Sequence, residues 1–297
     1  MLRPTTENLF QDTSIDLLSA DEASSLMLRG QHVALQAVER AARDIARAAD
    51  VVAYALRDGK VLNYAAAGSS GLMALADGCE LPGTFGIRPE AIRIHMAGGV
   101  PKDGQMPGHT EDDTASAQSD MQDVAAGDAV IVLSASGTTP YALAVAEAAK
   151  AAAAKVISIA NNPGTPLLQV ADVPICLETP PEVVAGSTRL GAGTAQKVAL
   201  NLMSTLVGVR LGHVFQGMMV NLVADNAKLI ARARGIIARI ADVTEDEACA
   251  ALQATSGHVK PAVLVATGAN PDQARELLET HGGSLGPCLE ALQNTDR

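Results

Sequence analysis

Ser134, Ser136, Thr138 and Thr139 fall within the six residues S-A-S-G-T-T, around Gly137. Hydroxyls at this density suit an anion, a phosphate or a carboxylate, provided the chain presents them at the positive end of a helix. The flanking residues supply that setting. V-I-V-L at 130–133 reads as a buried strand, Pro140 fits a first helical turn, and Ala142 to Ala154 is a strong helix former. Ser and Thr are also favoured helix caps. Four hydroxyls exceed what one cap needs, yet both readings stand at this level. A second turn of the same kind, A-G-S-S-G with Gly68, Ser69 and Ser70, follows a predicted strand Val61 to Ala66, and Ser70 precedes Ser136 by 66 residues. Between the two turns, the glycine-rich and least regular stretch, Gly78 to Asp113, holds two carboxylates of interest, Glu80 and Glu111. A long loop inside a compact domain is usually functional.

The elements that must carry these residues alternate strand and helix. Ser19 and Glu22 form a capping box for a helix predicted to about Asp50. Strands are predicted at Val61–Ala66, Ile92–Ala97, Val130 onward, Lys155–Ala160 and Val173–Leu177, with a short helix through Ala76, a helix near Gly193–Leu211 and another over Val220–Ile240. This rhythm implies an α/β fold, a mainly parallel sheet with helices on both faces, in which ligands sit at the carboxyl ends of strands. Near the end, Ala248, Leu252, Gly257, Val259, Pro261 and Val263 recur 26 residues later as Ala274, Leu278, Gly283, Leu285, Pro287 and Leu289. Each unit reads as two short helices joined at a glycine. The expected division is 1–242 for the α/β domain with its N-terminal helical arm, and 243–297 for a small all-helical appendage that packs or braces a dimer.

Composition excludes several classes. The 297-residue chain is 48% hydrophobic with 2% aromatics and no Trp, so the core is aliphatic and base stacking has no platform. A net charge of −11 argues against nucleic acid. Cys79, Cys176, Cys249 and Cys288 are widely spaced, as reduced thiols are, and no 18-residue apolar run occurs. A soluble, cytoplasmic protein with no membrane partner is expected. The six histidines lack metal-ligand spacing, G-A-G-T-A-Q at 191–196 lacks the last glycine of a dinucleotide fingerprint, and there is neither a Walker A pattern nor a nucleophile elbow.

Taken together, the motifs have a family likeness. S-A-S-G-T-T resembles the phosphosugar-binding turn of SIS (sugar isomerase) domains, G-S-S at 68–70 their first turn, and E-V-V-A-G-S-T-R at 182–189 their third signature. Within that superfamily the chain is most similar to the N-acetylmuramic acid 6-phosphate etherases. T-E-N, Y-A-A-A-G-S-S-G, C-E-L-P-G-T-F, T-E-D-D, A-S-G-T-T-P-Y, G-S-T-R-L-G-A-G-T-A-Q-K and M-V-N-L-V-A-D-N-A-K-L follow that family's order from residue 6 to the tail.

The resemblance implies an SIS-type three-layer αβα fold and a dimeric lyase with neither metal nor cofactor. Such an enzyme takes the D-lactyl ether from N-acetylmuramic acid 6-phosphate, leaving N-acetylglucosamine 6-phosphate and D-lactate. It also implies catalytic roles for Glu80, protonating the departing lactate, and Glu111, handling the C2 proton. Two carboxylates in different environments can divide such work. The phosphosugar would lie on Gly68, Ser69 and Ser70, on Ser134, Ser136, Gly137, Thr138 and Thr139, and on Ser187, Thr188 and Arg189. Three positions depart from the family by losing a positive charge: Leu72, Thr138 and Gly191. Charge-assisted bonds to phosphate are the strong ones, so an altered sugar specificity is expected. Isomerisation with Glu111 or Glu182 as sole base, and non-catalytic sugar-phosphate sensing, are the alternatives.

Overall fold

Five short apolar runs become the strands of one parallel sheet in the computed structural model, which describes residues 5–8, 14–224 and 226–295. They are β1 (Leu62–Ala66), β2 (Ile92–Met96), β3 (Ala129–Ser134), β4 (Lys155–Ala160) and β5 (Val173–Cys176), in the order β2-β1-β3-β4-β5. β1 and β3 are buried throughout, which fits sequences that are apolar on both faces except at Asn63 and the terminal Ser134. Helices α1 (Ala20–Arg40), α2 (Ala42–Arg57), α3 (Gly68–Phe85), α4 (Thr114–Asp120), α5 (Pro140–Ala151), α6 (Pro166–Val170) and α7 (Gly191–Arg210) accompany the sheet. Tyr141, Ala142, Val145 and Ala146 of α5 pack on the face made by Ala65, Val130, Val132 and Val156. On the other face, Tyr64 donates its hydroxyl to Asp77 of α3, which also accepts from Asn201 and Ser204 of α7. The three-layer αβα arrangement expected of the sequence is therefore present.

Sheet order matters for the site. β1 pairs with β2 on one side and β3 on the other, with Ala66 opposite Leu133 and Ser134 opposite Ala160. The connections leaving β1 and β3 thus diverge, and a crevice opens between their carboxyl ends, the usual ligand position of an open parallel sheet. Both hydroxyl-bearing turns lie at those ends.

The chain divides into two compact units, one of Met1–Cys79 with Pro89–Leu206, the other of Glu80–Arg88 with Val207–Arg297. The second contains a two-residue hairpin, β6 (Val214–Phe215) with β7 (Met218–Met219), then α8 (Ala227–Ala241), α9 (Glu245–Ala254), α10 (Val259–Ala266), α11 (Pro271–Thr280) and α12 (Leu285–Thr295). The 26-residue repeats are α9–α10 and α11–α12, sharing one aliphatic core with α8.

Three expectations need correction. The first helix does not run unbroken to Asp50: it starts with the Ser19–Glu22 capping box but steps at Ala41. That step aims the stripe Ile45, Ala48, Ala49, Val52 of α2, which packs on β1, β3 and β5. The helix expected from Val220 begins at Ala227, where Asn226 caps it, and the hairpin with Gln216 and Gly217 at positive φ precedes it. Two-residue strands have too little alternation to read. Asp225, within M-V-N-L-V-A-D-N, lies outside the described residues. Finally, the helix after β1 does not stop at Ala76. It continues through Pro82 to Phe85, so Glu80 is helical. Leu81 and Phe85, four apart on one face, are buried, and that burial outweighs the loss of about 3 kcal/mol that an interior proline brings.

Candidate active site

The side chains of the S-A-S-G-T-T turn bond among themselves and not to the first amides of α5. Thr139 is the residue before α5, yet its side chain caps no amide. Its Oγ1 lies 2.8 Å from Ser134 Oγ, which is 3.3 Å from Ser136 Oγ and accepts the Gly137 N–H. Thr138 donates its N–H and its hydroxyl to Ser136 Oγ. The hydroxyls therefore converge on one another at the start of a twelve-residue helix, where an anion would find several O–H donors and the helix dipole together. Gly137 has φ +71°, and a Cβ there would overlap the Thr165 side chain. The turn needs glycine for both reasons.

The first turn is built differently. Gly68, Ser69 and Ser70 form the opening of α3, with Ser70 buried. Gly68 has φ +55°, and a Cβ on it would stand 2.7 Å from Glu111 Oε1. Glu111 is exposed, and its backbone carbonyl accepts the Tyr141 N–H in the first turn of α5 at 2.9 Å. One residue thus touches the helix starts after both β1 and β3. Capping in the T-E-D-D run falls to Asp113, whose Oδ1 accepts from Ala115 and Ser116 at the start of α4. Glu111 is left with no such duty.

Ser187, Thr188 and Arg189 occupy the loop before α7. Glu182, 3% exposed, accepts the N–H groups of Gly191 and Ala192 with its two oxygens and so closes that loop. Burial raises its pKa, partly offset by the Ala192 and Gly191 amides. A carboxylate held in this way braces the loop. Arg189 is exposed. Of the positions lacking a positive charge, Leu72 is partly exposed, Thr138 bonds within its own turn, and Gly191 serves Glu182.

Sequence reasoning missed the props behind these loops. Asn161 donates its N–H, and Asn162 its side-chain amide, to the Ala135 carbonyl inside the hydroxyl turn. Asn162 also accepts the Thr5 N–H, and the buried Thr6 takes the Gly186 N–H on its carbonyl beside Ser187. The N-N-P-G-T-P run was legible only as a loop. Asparagines directly after a strand were the available signal.

Glu80 lies on α3 ten residues after Ser70, exposed and in the second compact unit, whereas Glu111 belongs to the first. Among the described residues, no three His, Cys, Asp or Glu side chains are grouped to hold a metal ion, and all four cysteines are unpaired. Among the described residues, no helix is long and apolar enough to cross a membrane.

Comparison with known proteins agrees with this geometry. The SIS domain family matches residues 30–161. A protein described as a phosphosugar isomerase of Bacteroides fragilis shares the fold, with a TM-score of 0.51 at 19% identity over 67% of this chain and 95% of its own. Over the whole length, the N-acetylmuramic acid 6-phosphate etherase of Deinococcus radiodurans is 40% identical, covering 96% of this chain and 94% of the relative. The corresponding protein of Enterococcus faecalis is 37% identical over 96% of both, and that of Photorhabdus laumondii 35% over 94% of both. With two hydroxyl-bearing turns at adjacent strand ends and full-length relatives above 30% identity, the chain belongs to the N-acetylmuramic acid 6-phosphate etherase family.

Proposed function

We infer that this chain is a carbon–oxygen lyase that cleaves the D-lactyl ether of N-acetylmuramic acid 6-phosphate to give N-acetylglucosamine 6-phosphate and D-lactate. The observation carrying the site assignment is Glu111. Its carboxylate faces Gly68 and its carbonyl is tied to Tyr141, so one acid is attached to both ligand turns.

In the proposed course, the sugar phosphate rests on Ser70, Ser134, Ser136 and Thr139 with the N-terminus of α5, while Ser187–Arg189 meet the sugar. Gly68, Ser69, Gly137 and Thr138 supply the backbone around it. Glu111 removes the proton on C2 of the open-chain aldehyde. The electron pair forms the C2–C3 double bond and expels the ether oxygen from C3, which takes its proton from Glu80 as lactate departs. Water then adds at C3 and C2 regains a proton, giving the product sugar. The two carboxylates divide the work, one as acid and one as base.

A homodimer in the cytoplasm is the proposed working form. Partly exposed Leu202 and Val209 on α7 and unpaired cysteines support it. Lactate release from N-acetylmuramic acid 6-phosphate tests the reaction: the purified chain should release it, and Glu80→Gln and Glu111→Gln should each slow release by about 10²–10⁴-fold. Sedimentation should give twice the chain mass. A preparation that binds the sugar phosphate but frees no lactate at any concentration would sink the reaction assigned.

A further inference from the structure

The turn of α3 that carries Glu80 is weak as a helix. Pro82 removes the N–H that would have bonded to the Gly78 carbonyl, and Gly83 adds backbone freedom. The helix then ends at Phe85, with Gly86 at φ +62°, and its last carbonyls need outside partners. Asn221, in the chain between the β6–β7 hairpin and α8, is one such partner, beside His213 on the Phe85 carbonyl and the Gly86 N–H on the Pro82 carbonyl. Asn221 Nδ2 donates to Phe85 O at 3.1 Å and Gly86 O at 3.5 Å. A Cβ on Gly86 would overlap the Asn221 carbonyl, so the two backbones lie in direct contact. Asn221 is itself held between Val220 and Leu222, both buried in the core of the repeat helices. The Phe85 ring fits against Gly208, where a Cβ would stand 2.5 Å from it. Glu80, Pro82, Phe85, Gly86, Gly208 and Asn221 all belong to one compact unit.

We propose that Asn221 is a positioning residue for Glu80, and that the helical tail serves catalysis by holding this end of α3. The inference rests on the reading of Glu80 as the acid that protonates lactate. Without the Asn221 clasp, a proline-weakened turn loses the side-chain donor shared by its Phe85 and Gly86 carbonyls and loosens, and the carboxyl group on it loses its fixed direction. A misdirected acid slows proton donation to the leaving oxygen, a transition-state interaction, so the cost is expected on kcat and not on KM.

The experiment is a double-mutant cycle on lactate release with N-acetylmuramic acid 6-phosphate, using the full chain. Asn221→Ala should lower kcat by about 10²-fold, the cost of misplacing a catalytic group by roughly 1 Å, and leave KM within about twofold. Added to Glu80→Gln it should change nothing further, because residues acting through one group are not additive. Multiplying losses, or an unchanged kcat in Asn221→Ala, overturn the proposal. Full activity in Glu80→Gln alone overturns the reading of Glu80 instead, and Asn221 with it. Should Asn221→Ala lose its thermal transition, Asn221→Ser keeps a donor on a shorter arm and carries the same two readouts, with a smaller fall in kcat.

Discussion

Glu111 Oε1 lies where a side chain at residue 68 would begin, 2.7 Å from the Cβ that Gly68 lacks. The absence of one atom therefore lets a carboxylate approach the first turn of α3, and the positive φ of Gly68 makes the same demand independently. Gly68→Ala should lower kcat by about 10²-fold, since a displacement of ~1 Å at a reacting group costs that much. The strain at positive φ should cost a further 1 kcal/mol or so of stability. Steady-state kinetics and a thermal melt of the same preparation separate the two effects; an active variant with wild-type kcat would remove Glu111 from the chemistry.

Thr139→Val tests the hydroxyl cluster. The threonine does not cap α5, so a melt of the variant should stay close to wild type, whereas a lost cap would cost about 1 kcal/mol. Losing a bond to a charged phosphate is worth roughly 1.5–3 kcal/mol, so KM should rise by about ten- to a hundredfold. A large fall in melting temperature with unchanged KM would return this turn to a purely structural role.

Thr138→Arg restores a positive charge beside the turn. Thr138 is exposed and bonded only within its own turn, so the longer side chain has room to reach a phosphate. Charge-assisted bonds are about twice as strong as neutral ones. Competition by inorganic phosphate should therefore become stronger, with an inhibition constant lower by about tenfold at low salt and the gain fading as salt rises. No change at low salt would mean that the anion lies elsewhere.

Two basic groups in the repeat unit set its response to pH. Burial, with Lys260 nearby, pushes His213 down to about 4, the Phe85 carbonyl opposing. Burial pushes Lys260 down to about 8, with Cys288 opposing. Both are neutral more readily when folded than when unfolded. The unfolded chain therefore binds more protons, and stability rises with pH across each window. For His213 the unit should lose stability as pH falls from 6.5 toward 4. For Lys260 it should gain as pH rises from 8 to 10.5, by up to about 3 kcal/mol. Melts across pH check this. Lys260→Met should flatten the alkaline gain and leave the acid loss, although it also removes the bond from Nζ to the Gly283 carbonyl. A profile flat from pH 4 to 10 would contradict both assignments.

How much was legible in advance follows the range of the forces involved. The strand V-I-V-L, the proline at the start of α5, the Ser19–Glu22 cap and the 26-residue repeat each depend on neighbours within a few residues, and these appear where the sequence puts them. Turn chemistry at Gly137 was equally readable, because glycine takes a positive φ at the least steric cost. The short helix expected through Ala76 runs on past Pro82, because burial of Leu81 and Phe85 outweighs the local rule that ends helices at proline.

What the amino-acid order determined alone was the type of parts: apolar strands, hydroxyls at their ends, acids in the stretch between them. Tertiary structure decided their relations. It set β1 beside β3, turned Thr139 toward Ser134 and away from its helix, gave the capping duty to Asp113 and not Glu111, and engaged Glu182 with the amides of α7. Each of those outcomes depends on groups brought together by crossover connections, and through-space distances of that kind have no signature in residue spacing.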